Sequence, residues 1–258
     1  MAESRSLPAD GPAPGPGAMS RSAHGTAARW LYRVHRAMQK LSGGRAALHV
    51  YLFCAQPTAQ PGLSKLRDDS QTVIVPVEPG SEWTATFPRP AAVIAQRFVQ
   101  GARCFAVLVK NSFAGHIWLV REAYEEDEVR CRYLLPPTPA SVWDFDVFIA
   151  PDFRAGRTMA RLWKASSARL HEEGVVWTFS RISLFNAASI QSHERLGASH
   201  VATGAFAVVG SLQLALFSGT PYVHLSWRRG DRPVLQLPVP MPRTLPVTVP
   251  TLAPGADG

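Results

Sequence analysis

Residues 144–163 read DFDVFIAPDFRAGRTMARLW. The first half is an apolar run punctuated by two carboxylates, which predicts a strand over Val142–Ala150. Pro151 ends it, and Arg154, Gly156 and Arg157 form a bend. Apolar Met159, Leu162, Trp163 and Leu170 then recur at helical spacing, so a helix is expected from about Arg157 to Glu173, closed by Gly174. A helix that starts straight out of such a bend aims its first backbone N–H groups at one point. Those unpaired donors and the helix dipole together form a seat for a phosphate. In the strand, Asp144 and Asp146 stand two apart and are expected on one side, with Trp143, Phe145 and Val147 on the other.

Downstream, a strand is predicted at Val175–Ile182. The next segment, SRISLFNAASIQSHERLGA at 180–198, leaves that strand through Asn186. It enters a helix over Ala187–Leu196 that Gly197 ends, and Asn186 directly before it is a helix cap. Two further strands, His200–Val209 and Leu212–Phe217, flank a Gly210-Ser211 turn and form a hairpin.

Upstream, Ala28–Leu41 carries Trp30, Leu31, Val34, Met38 and Leu41 at helical spacing, and Arg29, Arg33, Arg36 and Lys40 with no acid on the other face. This stripe reads as a wetted face or as a seat for an anionic partner. Ala47–Cys54 and Thr72–Val77 read as strands, Pro90–Gln100 as a helix, and Cys104–Lys110, His116–Arg121 and Val129–Leu135 as further strands. The acidic run Glu125–Glu128 reads as a solvated turn. The order helix, several strands, strand-helix-strand-helix and hairpin is that of a small mixed sheet with a few covering helices.

The chain has 258 residues, a net charge of +8 and 46% hydrophobic residues, enough for one sizeable core with tails. Arginine dominates the basic residues, and no helix-turn-helix, RNP or zinc-finger pattern accompanies them, so no nucleic-acid partner is expected. Three scattered cysteines without a CxxC exclude a disulfide scaffold and suit a reducing, cytoplasmic setting. No P-loop, dinucleotide fingerprint or nucleophile elbow occurs, and no metal site is expected. Neither a signal peptide nor a transmembrane segment is read. Residues 1–27, rich in Pro, Gly and Ala, are expected to be a disordered tail, with Met1 or Met19 as the start. Residues 28–228 are expected to form the ordered domain, and 229–258 a Pro-rich extension that docks in part through Val234, Leu235 and Leu237.

Ile149–Trp163 and Asn186–Ala198, some 30 residues apart, together resemble the two motifs of the GNAT superfamily of acyl-CoA N-acyltransferases. The resemblance covers roughly residues 104–217. It implies an α+β fold: a mixed, mostly antiparallel twisted sheet of about 6–7 strands, with a V-shaped splay between two parallel central strands, those of 144–149 and 175–182. It implies an N-acyltransferase, an acetyltransferase in most of the family, that moves an acyl group from acetyl-CoA or another acyl-CoA to an amine by direct attack in a ternary complex. Main-chain groups of Val147, Phe148 and Ile149 would align the pantetheine arm. Arg154, Ala155, Gly156, Arg157, Thr158 and Met159 would hold the pyrophosphate, and Asn186 and Ser189 would contact the donor. His193 stands where the family has a tyrosine that protonates the leaving thiolate. Asp144 and Asp146 are the candidates for the base that takes the amine proton. Arg157 and Met159 replace small residues of the family's loop, which leaves open a longer acyl-CoA, an acyl carrier protein, or a fold that binds without catalysis. The acceptor and the oligomeric state are not read from the sequence.

Overall fold

In the computed structural model the described residues are 23–60, 63, 65–126, 128–138, 140–228 and 230–240. Residues 1–22 of the expected tail 1–27, and 241–258 of the expected extension 229–258, lie outside them. Helix α1 (Ala23–Leu41) begins inside the segment expected to be tail. Strand β1 (Ala46–Pro57) follows, then β2 (Thr72–Val77), α2 (Ala91–Val99), β3 (Arg103–Val109) and β4 (Ser112–Arg121). Lys110 and Asn111 join β3 to β4, with φ of 51° and 62°. Two consecutive positive φ values match the strand twist and give a tight two-residue hairpin. Short strands β5 (Ala123–Glu125) and β6 (Arg132–Leu134) precede β7 (Ser141–Ile149), α3 (Thr158–Glu172), β8 (Trp177–Ser183) and α4 (Ala187–Arg195). The chain closes with β9 (Ser199–Val209), β10 (Leu212–Phe217), β11 (Val223–Ser226) and β12 (Val234–Gln236).

The main sheet has nine strands in the order β11-β10-β9-β1-β8-β7-β4-β3-β2, and β12-β6-β5 form a second sheet of three. In the main sheet β7 and β8 are the parallel pair, and its other neighbours run antiparallel. The main sheet exceeds the expected 6–7 strands: β11 adds an edge strand, and β1, expected as a strand, inserts between β8 and β9. β1 pairs with β8 from Tyr51 to Pro57 and with β9 from Ala46 to Ala55, so the final hairpin never touches β8. Its central place follows from its residues: Tyr51, Phe53 and Ala55 point into one core and Val50 is buried on the other side.

Each face of the sheet carries its own core. Trp118, Trp143, Phe53, Phe179 and Tyr133 fill the face covered by α2 and the small sheet. Ile117, Leu119, Leu162, Trp163 and Leu170 fill the face covered by α3. α1 docks beside the first half of β1, where β8 has ended. There the Leu48 amide donates to His35 Nδ1 at 3.2 Å, and Tyr32 and His35 pack on Phe185. Leu235 and Leu237 are buried beneath the small sheet, whereas Val234 is exposed.

Candidate active site

β7 and β8 pair from Ser141–Trp177 only as far as Asp144–Ser180. Beyond that point β7 continues to Ile149 and β8 to Ser183 without pairing to each other, so five residues of β7 face an opening between the strands. A bulge sits at the same place. Trp118 of β4 pairs with Phe145 but His116 pairs with Phe148, which leaves one extra residue on β7. Asp146 takes up the bend with a φ of 46°, a conformation that costs a non-glycine residue energy and needs support from its surroundings. Gly115 lets the two strands close over the bulge: a Cβ there would stand 2.2 Å from the Phe148 carbonyl oxygen.

The bulge overturns the expected arrangement of the two aspartates. An unbroken strand would put Asp144 and Asp146 on one side, but the extra residue turns Asp146 to the opposite face. Val147, expected beside Phe145, packs with the α3-side core, while Phe145 packs with the other.

Asp146 is gripped by Arg89 through two hydrogen bonds and by Arg97 through one, and His116 Nε2 lies 3.5 Å away. Arg97 is itself layered over the Trp118 and Phe145 rings. Burial alone would raise the Asp146 carboxyl, but the His116 hydrogen bond and the Arg97 and Arg89 charges outweigh it and hold it well below the usual carboxylate range. A carboxylate so stabilised accepts no proton near neutrality, so Asp146 as a base is corrected: it is the anchor of the bulge.

Asp144 differs in every respect. It is 2% exposed on the α3 side and accepts a hydrogen bond from the Ser180 hydroxyl at 2.6 Å. Burial pushes its pKa up to about 7, against the downward pull of Ser180. Its second oxygen is buried without a hydrogen-bond partner among the described residues, near similarly unpartnered Gln56 and Thr178. This is a carboxyl that exchanges a proton near neutral pH, at the last paired position before the strands part.

The bend after β7 forms as expected. Arg154 is exposed, and its Nε donates to the Ile149 carbonyl at 2.9 Å and closes the turn. Gly156 donates to the Phe153 carbonyl at 3.4 Å. Arg157 caps α3 without a side-chain bond, and the amides of Arg157, Thr158, Met159 and Ala160 have no hydrogen-bond partner among the described residues. The Met159 side chain packs into the α3-side core and so does not cover them. Arg157 is exposed and Thr158 buried. These free amides at a helix start, with a guanidinium beside them, fit a pyrophosphate.

Asn186 caps α4 by accepting from the Ser189 amide at 3.1 Å. The Ser189 carbonyl is also engaged, 2.8 Å from His193 Nδ1, so Ser189 keeps only its hydroxyl for a ligand. His193 is buried, edge-on to Trp163 at 6.0 Å. Burial lowers its pKa and outweighs the Ser189 bond, so the ring is neutral. With Nδ1–H donating to that carbonyl, Nε2 carries a lone pair. The ring as placed suits a proton acceptor better than the acid expected of His193.

A second polar group lies on the face opposite α3, and the sequence reading missed it. Glu126, expected in a solvated turn, is 4% exposed, and its carboxylate lies 2.7 Å from Arg181 Nε. Glu128 bonds Arg181 at 3.0 Å and accepts from the Tyr51 hydroxyl at 2.6 Å, and the Arg181 guanidinium lies over the Tyr51 ring. The signal in the sequence was Arg181, the one charged residue within the strand WTFSRIS.

No protein-family model matches the chain, and no curated protein matches it in sequence. Solved structures similar to it include a conserved protein of unknown function from Staphylococcus epidermidis, at 9% identity and a TM-score of 0.45, covering 66% of this chain and 64% of that one. A putative GNAT-family acetyltransferase from Novosphingobium aromaticivorans is 17% identical with a TM-score of 0.44, covering 64% and 66%. A tandem GNAT protein from the clavulanic acid biosynthesis pathway is 13% identical with a TM-score of 0.42, covering 70% and 68%. The chain thus spans less than two thirds of the length of the first two. Its own architecture, a parallel β7–β8 pair that parts beside a bulge, with α3 crossing between the two strands and antiparallel strands on either side, is a GNAT-like α+β fold.

Proposed function

We propose that this chain is an N-acyltransferase that moves an acyl group from an acyl-CoA to an amine. Two observations support the reading: the β7–β8 pairing ends at Asp144–Ser180, and the amides of Arg157–Ala160 are free at the start of the helix that follows β7. The amides would hold the pyrophosphate, and the main chain of Val147, Phe148 and Ile149 would align the pantetheine arm. Acetyl-CoA is the simplest donor.

Direct attack needs a neutral amine. Asp144 is the proposed proton acceptor, since its pKa of about 7 matches that task. In the same reading the thiolate leaves with a proton from water.

Calorimetric titration with CoA, acetyl-CoA and longer acyl-CoAs tests the donor, and thiol release with a panel of amines tests the transfer. A ligand present at 100 times its dissociation constant adds about 2.7 kcal/mol of apparent stability, visible as a thermal shift. Absence of any shift with every thioester sinks the proposal. Donor binding without thiol release supports a second reading, a GNAT-like binding module, which the sequestration of Asp146 by two arginines favours.

A further inference from the structure

The outer face of α1 carries two adjoining stripes. Arg29, Arg33, Arg36 and Lys40 follow the spacing i, i+4, i+7, i+11, which keeps them on one side of a helix. Trp30, Val34, Ala37 and Leu41 repeat that spacing one residue later and form a parallel apolar stripe beside the basic one. Both stripes look outward. Arg29, Arg33, Arg36, Ala37 and Lys40 are exposed and Val34 is half-buried. Trp30 is 63% exposed and Leu41 88%. The inward side, with Ala28, Tyr32 and His35, is already occupied by β1 and Phe185.

The helix contains no acid, and among the described residues none of Arg33, Arg36 and Lys40 forms an ion pair. Off this helix, Arg89, Arg97, Arg103, Arg121, Arg161, Lys164, Arg169, Arg181 and Arg232 each meet a carboxylate. A wetted face needs neither an exposed tryptophan nor a run of cations kept clear of acids.

We propose that this face of α1 docks on an anionic lipid bilayer. The cations would meet headgroup phosphates and carboxylates, and Trp30 and Leu41 would enter the headgroup region beside them. A nucleic-acid duplex would use the cations but leave Trp30 and Leu41 in water, whereas a bilayer uses both stripes. The inner side of α1 stays on β1, so docking is shallow and reversible. No helix among the described residues is long and apolar enough to cross a membrane.

The test is co-sedimentation of the full chain with vesicles of pure phosphatidylcholine and of phosphatidylcholine with 30% phosphatidylserine. The expected result is at least a tenfold preference for the anionic vesicles, lost in 0.5 M salt. The double variant Arg33→Gln/Arg36→Gln should lose at least tenfold in binding with an unchanged melting temperature. Trp30→Gln should weaken binding several-fold while leaving the salt dependence in place. Equal binding to both vesicles, or wild-type binding by Trp30→Gln, overturns the proposal. So does retention of a short DNA duplex by protein that fails to sediment with anionic vesicles. If either variant unfolds, the salt dependence and lipid preference of the unaltered chain still decide the matter.

Discussion

Asp144 and Asp146 are two residues apart and titrate at opposite ends of the carboxylate range, which shows how far environment overrides residue type. Burial raises Asp144 from 3.8 to about 7. In the folded chain it therefore holds a proton that the unfolded chain has already released between about pH 4 and 7. Stability falls as pH rises through that window and stays reduced above it. Asp144→Asn removes the titration. The variant should match the wild type near pH 4 and exceed it at pH 8 by about 2–4 kcal/mol, measured by denaturant unfolding across pH. If Asp144 takes the amine proton, the same variant should lose thiol release by about 10²–10⁴-fold. Equal stability at pH 8 would mean that Asp144 is ionised at little cost and unsuited to the proposed role.

At the scale of elements, the local punctuation of the chain was legible and the bulge was not. Pro151, Gly156 and the Met159–Leu170 periodicity specify the strand, turn and α3 from adjacent residues alone. Asn186 specifies the start of α4 in the same way. Asn186→Ala should cost about 1 kcal/mol through the lost cap. Since the Ser189 amide is bound to Asn186, the variant should leave donor affinity nearly unchanged; a large loss of affinity with stability intact would show that Asn186 touches the donor. The bulge depends on partners from distant elements: Arg89 before α2, Arg97 within it, and Gly115 and His116 on β4. None of these has a sequence pattern that points to position 146, so alternation along β7 gave the wrong face for Asp146. Gly115→Ala sets a methyl against the Phe148 carbonyl, where backbone must yield rather than a side chain. A loss of at least about 1–3 kcal/mol is expected from such overpacking. Weaker acyl-CoA binding should accompany it, because the displaced segment, Phe148–Ile149, borders the opening. Chemical denaturation and calorimetry on the same preparation separate the two effects.

For the whole molecule, the sequence order suggested a sheet that ends with the Ser199–Phe217 hairpin. The structure instead closes its core with segments from both ends of the chain. β1 was legible as a strand, but its place between β8 and β9 is set by pairings across more than a hundred residues, which periodicity does not encode. The buried Glu126 escaped notice for the same reason, since its partner Arg181 comes from β8. The last segment was read mainly as a surface extension because its prolines remove backbone donors. Between those prolines, Val234–Gln236 pairs in parallel with Arg132–Leu134, and Leu235 and Leu237 are each 1% exposed. The Leu237 amide also bonds the Leu134 carbonyl at 2.9 Å. Those two leucines complete the core beside Tyr133 and Trp143, so the boundary of the folded unit lies beyond residue 228. Leu235→Ala and Leu237→Ala should each destabilise by about 2–5 kcal/mol, as for other buried leucines. Ending the chain after Pro240 should keep the core intact, and ending it after Arg228 should strip the cover from the small sheet. The comparison is the denaturant midpoint of the two truncations against the full chain. A chain ending at 228 that unfolds at the full-length midpoint would show that β12 lies on the core without supporting it.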